Sequence, residues 1–252
     1  DHMMLDGLED AYEPGRSMGT FGEDCAGKYA FTREQQDAFA TASVQRAQAA
    51  TQSGAFAAEI TPVTVKTRAG ETVISIDEGP GKVKLDKIAS LKPAFKKDGT
   101  ITAASSSSIN DGAAAMVMMR ATTATKLGAR PLARIVAHAV HAQEPNWFAT
   151  APVGAVQKLL AKANWSVKDV DLWEVNEAFA VVPMALMREL GLSHDIVNVN
   201  GGACALGHPI GASGARIMVT LIHALKARDL KRGVATLCIG GGEATAVAIE
   251  LL

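Results

Sequence analysis

Hydrophobic and polar positions divide the chain into two parts with different patterns. From Pro131 onward, short apolar runs alternate with segments whose apolar residues recur at helical spacing. Such alternation of strands and helices favours a layered α/β fold. We place the boundary between the two parts within 121–131. The pattern of the second part predicts strands over 132–139, 172–175, 196–198, 234–238 and 244–251, and helices over 153–163, 178–190 and 211–225.

The first part contains a strong helix signal and two weaker strand signals. A helix is predicted over 31–53, because Thr32 can serve as its N-cap and Gln35 completes a capping box. Residues 60–65 alternate like a strand, and the proline among them fits only an edge strand. We expect residues 73–76 to be the partner of that strand.

Two further stretches of the first part have a distinctive composition. Residues 77–100 are irregular and rich in lysine, which predicts either a solvated loop or a rim that binds an anion. Residues 113–119 are apolar and are expected to form a strand or another buried segment. The lysines of the irregular stretch are Lys82, Lys84, Lys87, Lys92, Lys96 and Lys97.

Composition excludes several classes of protein. The chain has 252 residues, of which 48% are hydrophobic and 20% charged, so it can bury a sizeable core and is not expected to be disordered. Its formal net charge of -1 gives no electrostatic case for binding nucleic acid or an anionic membrane. No apolar run reaches the roughly 18 residues that a membrane span needs.

The cysteines and the first residues indicate the cellular setting. Cys25, Cys204 and Cys238 form no C-x-x-C pair, so neither a disulfide framework nor a zinc site is expected. Free cysteines of this kind indicate a protein of a reducing compartment. We interpret Cys25 and Cys204 as small buried hydrophobic residues. The opening residues Asp1–Met4 show neither an initiator methionine at position 1 nor a signal-peptide pattern. We therefore expect the interior of a longer polypeptide, in which any targeting segment would lie upstream.

Cys238 is the first candidate for chemistry. It lies near the end of the apolar run 234–239, which three glycines follow at 240–242. A short apolar run closed by turn residues predicts a buried strand. A thiol at such a strand end can exchange protons with a substrate, and the Gly240 N–H can stabilise a developing oxyanion.

The second candidate follows the apolar strand predicted over 170–175. Asn176 and Glu177 come directly after this strand, and a predicted helix begins at Ala178. Because α/β folds build their sites at the carboxyl ends of strands, both side chains are well placed for a functional role. The alternative is that Asn176 only caps the helix.

The third candidate is His208, in the glycine-rich stretch 198–214. The five glycines of this stretch indicate backbone conformations that other residues resist, and Pro209 biases His208 toward extended geometry. A rigid imidazole beside a helix start can act as a base, whereas the alternative is a histidine that is only packed or capped. A nucleotide-binding loop is a poor fit, because neither G-x-G-x-x-G after a strand nor G-K-[ST] is present.

Together, these three segments resemble the thiolase family. Their motifs N-E-A-F, G-H-P-x-G and C-x-G-G-G occur in the order found in that family. His208 follows Asn176 by 32 positions and Cys238 follows His208 by 30, and both intervals agree with the family. The resemblance extends across the chain through three further segments, which are Ser17–Thr20, Leu91–Phe95 and Asn110–Ala115.

The resemblance implies both a fold and an activity. The fold would be the layered αβαβα arrangement of thiolases, of which this chain would hold the loop region and the C-terminal half. The activity would be an acyl transfer that makes or cleaves the carbon–carbon bond of short-chain 3-ketoacyl-CoA, as when two acetyl-CoA give acetoacetyl-CoA and CoA. Coenzyme A thioesters would be the substrates, and no cofactor or metal would be needed.

By motif, the resemblance also implies a role for each candidate residue. Cys238 would be the acid/base that removes the α-proton of acetyl-CoA. His208 would activate the nucleophile and donate to a thioester oxygen. Asn176 would hold a water in the first oxyanion hole, and the Gly240 N–H would serve in the second. Glu177 would hold these catalytic residues in place without contacting the substrate.

Further residues would contact coenzyme A. Pro80 stands where many bacterial biosynthetic members have an arginine near the adenine, and Ser17 stands where they have a histidine. Lys82, Lys84 or Lys87 would then bind the CoA 3′-phosphate instead. By resemblance, the lining of the pantetheine and adenine tunnel would be Leu8, Met18, Phe95, Ala103, Ser107, Ala178 and Phe179, with Ser107 bonded to the pantetheine amides.

The nucleophilic cysteine of the family belongs to its N-terminal half, and no segment of this chain matches that context. The resemblance divides the chain into a CoA-binding loop domain (1–109), a strand and linker that complete an absent N-terminal domain (110–130), and a C-terminal thiolase domain (131–252). We expect that the chain alone does not turn over substrate. A companion N-terminal fragment of the same protein would supply the nucleophile. Family likeness implies a cytoplasmic homodimer or homotetramer.

Two alternatives stay open at this point. The first is a longer-chain 3-ketoacyl-CoA thiolase of fatty-acid β-oxidation, because the acyl pocket draws partly on residues outside this sequence. The second is a non-catalytic subunit that binds CoA or serves assembly. The joint presence of Asn176, His208 and Cys238 argues against the second alternative.

Overall fold

The computed structural model describes residues 2–252, so that Asp1 lies outside the described residues. The elements of the first part are a π-helical turn (Met4–Leu8), α1 (Met18–Lys28), α2 (Arg33–Ser53), β1 (Val63–Thr67), β2 (Gly70–Ile74), α3 (Gly79–Lys82), a 3₁₀ turn (Leu85–Ser90) and α4 (Ala121–Leu127). The predicted capping box begins α2, with Thr32 Oγ1 and Gln35 Oε1 each accepting the other residue's backbone N–H. As predicted, β1 and β2 pair, and they form an exposed antiparallel hairpin.

The second part is built on one mixed sheet. Its elements are β3 (Ala133–Ala142), a 3₁₀ turn (Pro145–Thr150), α5 (Ala151–Ala163), a 3₁₀ turn (Val167–Asp169), β4 (Leu172–Val175), α6 (Val181–Leu190), a 3₁₀ turn (His194–Ile196), α7 (Ala203–Leu206), α8 (Ile210–Ala227), β5 (Arg232–Ile239) and β6 (Glu243–Leu251). The strands lie in the order β3-β6-β5-β4. The β4–β5 pair is parallel, whereas the two pairs that involve β6 are antiparallel.

Helices cover both faces of this sheet. Because side chains alternate along a strand, neighbouring residues point to opposite faces. Trp173 and Val234 pack in the cluster formed with α5 and α6, while Leu172 and Ala235 pack in the cluster formed with α8. The result is the predicted layered α/β class. The carboxyl ends of the parallel strands β4 and β5 meet at one edge of the sheet.

One predicted strand is wrong. Of residues 196–198, Ile196 ends the 3₁₀ turn (His194–Ile196) and only Val197 makes a bridge, to Trp173. Asn198 ends this pairing because its backbone is left-handed, with φ 48°. Its side chain instead takes both polar groups of Val175, since Val175 N donates to Asn198 Oδ1 and Asn198 Nδ2 donates to Val175 O, each at 2.8 Å.

A second prediction, a strand or buried segment over 113–119, is also wrong. The residues form no helix or strand, and large apolar side chains lie in solvent, with Val117 88% and Met118 67% exposed. A strand forms only beside a hydrogen-bonded neighbour. Among residues 2–252, no strand or isolated bridge pairs with this segment.

One helix, α1, was not predicted, and another, α6, begins later than predicted, each for an identifiable reason. The pattern gives no signal for α1, since Gly19, Gly22 and Gly27 lower its intrinsic helix propensity. Gly19 is required there, because a Cβ at this position would lie 2.1 Å from the Phe95 ring. The helix predicted from Ala178 begins at Val181, because residues 178–180 bond to the loop at 105–107 instead.

Candidate active site

Asn176 and His208 meet at the carboxyl end of β4. Asn176 directly follows the strand, and its backbone N–H donates to Thr236 O of β5 at 3.0 Å, which extends the parallel pairing by one residue. Its side-chain Nδ2 lies 3.3 Å from His208 Nε2. Two residues that are 32 positions apart in sequence are therefore hydrogen-bonded, as convergence of the two motifs requires.

The imidazole of His208 is fixed by the chain on both sides. Its backbone N–H donates to Ser108 O at 3.1 Å, and its Nδ1 lies 2.6 Å from Ser213 Oγ in the first turn of α8. The preceding Gly207 adopts φ 82°, and a Cβ there would lie 2.0 Å from Asn110 Oδ1. A side chain at position 207 would therefore disrupt both the backbone and the loop that packs against it.

Glu177 holds the glycine-rich loop against the sheet. Its fully buried carboxylate accepts hydrogen bonds from Ser43 Oγ at 2.7 Å, Asn198 Nδ2 at 2.7 Å and the Cys204 N–H at 3.0 Å. A Cβ at Gly202 would lie 2.3 Å from Glu177 Cδ, so the loop approaches this closely only as glycine. The carboxylate thereby joins α2, the end of β4 and the loop that carries His208.

Cys238 occupies the carboxyl end of β5, beside the strand that Asn176 follows. Its side chain is 7% exposed and belongs to the apolar cluster that includes Met18, Phe21 and Phe179. Within residues 2–252, no hydrogen bond joins its thiol to Asn176 or His208. The structure thus pairs the amide with the imidazole and places the thiol at the neighbouring strand end.

The glycines after Cys238 make the tight turn from β5 to β6. Gly241 and Gly242 have φ of 89° and 92°, a region that side chains rarely adopt. A Cβ at Gly242 would lie 2.2 Å from Gln143 O. At Gly240, a Cβ would lie 3.3 Å from Met18 Sδ, which brings one predicted CoA contact close to the predicted second oxyanion hole.

Burial sets the protonation states of the imidazole and the thiol. It lowers the pKa of His208 to about 4, and the positive charge of Arg216 adds to this effect. Burial raises the pKa of Cys238 to about 12. At neutral pH the site therefore holds a neutral imidazole that can accept a proton and a neutral thiol that can donate one.

The other two cysteines are core residues. Cys25 is fully buried in the cluster that also contains Cys238, and burial raises its pKa to about 12. Cys204 is also buried, and its pKa is raised well above the usual range by burial and by the neighbouring Glu177. Thiols in such environments are poor nucleophiles, which agrees with their interpretation as small hydrophobic residues.

The structure brings part of the predicted CoA-binding set together. Phe95 and Phe179 pack edge to face at 5.6 Å between ring centroids. Ser107 donates to Ala178 O through both its N–H, at 3.0 Å, and its Oγ, at 3.2 Å, so its hydroxyl is already engaged. Leu8 ends the π-helical turn and is half-buried, and Ala103 is exposed.

A groove of about 440 Å³ opens beside His208, lined by residues 110–114 and 209–212. Gly112 packs directly on Pro209, since a Cβ at Gly112 would lie 2.7 Å from the proline ring. The groove therefore follows the two segments that the motifs singled out.

Sequence reasoning missed several residues that position the site. Arg46 of α2 donates to His194 O at 3.0 Å and Val197 O at 2.8 Å, which ties α2 to the start of the glycine-rich loop. Ser43 and Arg46 lie more than a hundred residues before their partners, so no local pattern indicates them. Ser213 lies five positions after His208, within the glycine-rich stretch. This short spacing is the one sequence signal that could have indicated a contact between the two side chains.

Residues 2–252 contain neither a candidate metal-binding cluster nor a candidate membrane-spanning helix. No cluster of three or more His, Cys, Asp or Glu side chains among them could hold a metal ion. Among the described helices, none has the length and apolar character needed to cross a membrane.

Comparison with known proteins decides the family. The family model described as "Thiolase, N-terminal domain" matches residues 1–122, and the model described as "Thiolase, C-terminal domain" matches residues 129–251. The chain belongs to the thiolase family. The predicted family is thereby confirmed by models that together span almost the whole of this thiolase chain.

Individual relatives agree. This thiolase chain is 49% identical to the acetyl-CoA acetyltransferase of Paracoccus denitrificans over 251 residues, which are 99% of this chain and 64% of that protein. Its structure is similar to that of the Bacillus anthracis acetyl-CoA acetyltransferase, with a TM-score of 0.94 and 46% identity over 97% of this chain and 62% of that one. It is also similar to a thiolase of Ascaris suum in complex with coenzyme A, with a TM-score of 0.89 and 41% identity over 100% of this chain and 64% of that one. The chain thus spans less than two thirds of the length of these proteins.

Proposed function

We propose that this chain provides the CoA-binding and acid–base part of an acetyl-CoA acetyltransferase. The observation that carries the proposal is the hydrogen bond between Asn176 and His208 at the strand end next to Cys238. The names of the relatives support acetyl-CoA and CoA as substrates. They favour short-chain substrates over the longer-chain alternative. In this proposal no cofactor takes part.

In the synthetic direction, the chain's own residues handle protons and negative charge. After an acyl group has been transferred to the nucleophile, the neutral Cys238 thiol gives its proton to the departing CoA thiolate. The resulting Cys238 thiolate removes an α-proton from acetyl-CoA, and the carbanion attacks the acyl carbonyl and releases the nucleophile. The enolate oxygen is stabilised by a water held on Asn176 and by the Nε2–H of His208. That Nε2–H is the proton that His208 took from the nucleophilic thiol, and it returns to the thiolate when the nucleophile is released. Donors of this kind are commonly worth about 3 kcal/mol each.

We further propose that a companion N-terminal segment of the same protein supplies the nucleophilic cysteine. The burial and raised pKa of Cys25 and Cys204 argue that neither serves this purpose. The exposed apolar side chains of Val117 and Met118 need a cover, which a neighbouring strand of the companion segment would provide. In this arrangement, residues 110–130 complete the companion domain, 1–109 bind CoA and 131–252 form the C-terminal thiolase domain. The assembled protein is proposed to be a cytoplasmic homodimer or homotetramer.

The CoA 3′-phosphate is proposed to bind near Lys82, Lys84 and Lys87. Lys82 pairs with Glu78 at 3.0 Å and Lys87 lies 3.6 Å from Asp86, and all four side chains are largely exposed. Exposed ion pairs of this kind contribute little, so a phosphate can replace the carboxylate partners at small energetic loss.

The experiment that tests the function mixes the chain with the N-terminal segment and follows cleavage of acetoacetyl-CoA through its enolate absorbance. Cleavage by the mixture, its absence with either part alone and its loss in Cys238→Ala would support the proposal. Cys25→Ala is the matched control, because it removes a buried thiol of the same cluster. A non-catalytic CoA-binding subunit would instead bind CoA and leave activity unchanged in Cys238→Ala.

A further inference from the structure

Ser213 contacts the ring nitrogen of His208 that does not face Asn176. It lies in the first turn of α8, is fully buried, and has its Oγ 2.6 Å from His208 Nδ1. Among residues 2–252, Nδ1 has no other hydrogen-bond partner. The same Oγ lies 3.1 Å from Pro209 O, to which it can donate its single proton.

The neighbours of the ring determine which nitrogen carries the proton. A neutral imidazole has one N–H and one lone pair, and burial keeps this ring neutral at pH 7. The Asn176 amide nitrogen, 3.3 Å from Nε2, can only donate. Nε2 must then accept, and Nδ1 carries the proton and donates it to Ser213. The hydroxyl proton of Ser213 goes to Pro209 O, so each bond has one donor and one acceptor.

We propose that Ser213 is a positioning residue that holds His208 in the tautomer protonated at Nδ1, with the Nε2 lone pair facing the reacting groups. This inference rests on the proposed function and deepens it, because only that lone pair can take the proton of a nucleophile. Once Nε2 has taken a proton, Ser213 still accepts from Nδ1–H. The buried imidazolium therefore keeps a partner for its second N–H.

The competing state is also visible in the structure. Asn176 Oδ1 is buried and has no hydrogen-bond partner among the described residues. If the amide rotated by half a turn, Oδ1 could accept a proton from Nε2–H. In that tautomer Nε2 has no lone pair and cannot act as a base, so an acceptor at Nδ1 is what separates the two states.

The tautomer can be measured directly on the chain by long-range proton–nitrogen NMR of protein labelled with ¹⁵N-histidine. The His208→Asn variant assigns the ring signals. The expected result is protonated Nδ1 in the wild type and in Ser213→Thr, and a shift of the proton to Nε2 in Ser213→Val. Thr and Val have the same shape, so any packing disturbance is matched between the two variants. Thr220→Ala, a buried hydroxyl on the same helix, is expected to leave the His208 signals unchanged.

Protonated Nε2 in the wild type, or an unchanged tautomer in a folded Ser213→Val, would overturn the assignment. In the enzyme assembled with its N-terminal segment, Ser213→Val is expected to lower kcat about tenfold to a hundredfold, with little change in KM. This loss reaches only the lower end of the roughly 10²–10⁴-fold that general acid–base catalysis contributes, because His208 itself is retained. Ser213→Thr should restore most of that loss. The NMR result does not depend on turnover, so an inactive assembly with the expected tautomer would count against the thiolase function and leave the role of Ser213 standing.

Discussion

The Glu177 carboxylate lies 2.7 Å from the Asn198 amide nitrogen, and both side chains are buried. Asn198 in turn takes the backbone polar groups of Val175, so one carboxylate connects the end of β4 to the loop that carries His208. This link holds the motif that contains Asn176 and Glu177 and the loop that contains His208 in a fixed arrangement at the same edge of the sheet. Its integrity can be tested through stability as well as through activity.

Replacing Glu177 with Gln should be strongly destabilising. The carboxylate accepts three hydrogen bonds, and a glutamine amide nitrogen would have to face another donor, which is Asn198 Nδ2 at the place of Oε1 or the Cys204 N–H at the place of Oε2. Leaving such buried groups unpaired is expected to lower the free energy of unfolding by about 2–3 kcal/mol. Urea denaturation measures it. Glu189→Gln, at an exposed carboxylate that bonds to Tyr29, is the control and should change stability by less than about 1 kcal/mol. Equal effects of the two substitutions would contradict the role of Glu177.

Two glycine substitutions should have opposite effects. In Gly202→Ala the new Cβ would lie 2.3 Å from Glu177 Cδ, so the loop must move and stability should fall by about 1–3 kcal/mol. In Gly27→Ala nothing lies within 4 Å of the new Cβ, and the helical position should gain about 0.5 kcal/mol from reduced chain entropy. Thermal unfolding of both variants decides the matter. A Gly202→Ala variant as stable as the wild type would show that the loop does not need this close approach.

Stability should fall as pH rises above neutrality. Burial raises the pKa of Glu174 to about 8 and that of Glu59 to about 7, and Arg216, with Nη1 3.5 Å from Glu174, offsets this only in part. Both carboxyls hold their protons in the folded chain after the unfolded chain has released them at an ordinary pKa near 4.5. Their contribution is therefore complete below about pH 4.5 and is lost as pH rises toward 8.

The measurement is urea denaturation at several pH values between about 7.5 and 8.5. This range lies above the titration of His208 and His194, whose pKa values burial lowers to about 4 and whose contribution makes stability fall as pH decreases through about 6.5. Glu174→Gln should flatten the profile, and the exposed Glu189→Gln should not. A wild-type profile that rises over this range would refute the assignment of neutral buried carboxyls.

Replacing Lys82, Lys84 and Lys87 together with Ala should raise the KM for acetyl-CoA in the assembled enzyme by about three- to tenfold, because charge-assisted phosphate contacts are lost. The control is dephospho-CoA thioester, which lacks the 3′-phosphate. Its KM should be the same for the wild type and the triple variant. An unchanged KM for acetyl-CoA itself would exclude these lysines from phosphate binding.

The sequence predicted those helices and strands whose ends are marked by residues within or next to the element itself. The capping box of Thr32 and Gln35 marks the start of α2, and the apolar run before Asn176 marks β4. Three motifs with regular spacing then indicated which loops share one edge. That step used family resemblance, since spacing alone does not specify which strand ends are neighbours.

The remaining features depend on contacts that no local pattern encodes. The interaction of Ser43 with Glu177 spans 134 positions, and the end of the predicted strand at 196–198 depends on where the Asn198 side chain bonds. The apolar stretch at 113–119 has the composition of a buried strand, but composition does not state which neighbour covers it. Its exposure reflects the absence of a pairing strand among the described residues.

The most direct test of the account is exchange of the acetyl-CoA methyl protons in D₂O, followed by proton NMR with the assembled enzyme. Removal of this proton is the step assigned to Cys238, with Asn176 and His208 stabilising the enolate. The account predicts loss of the methyl signal with the wild type and with Cys25→Ala, and retention of it with Cys238→Ala and His208→Asn. Exchange by Cys238→Ala at the wild-type rate would contradict the assignment of the acid/base and with it the proposed chemistry.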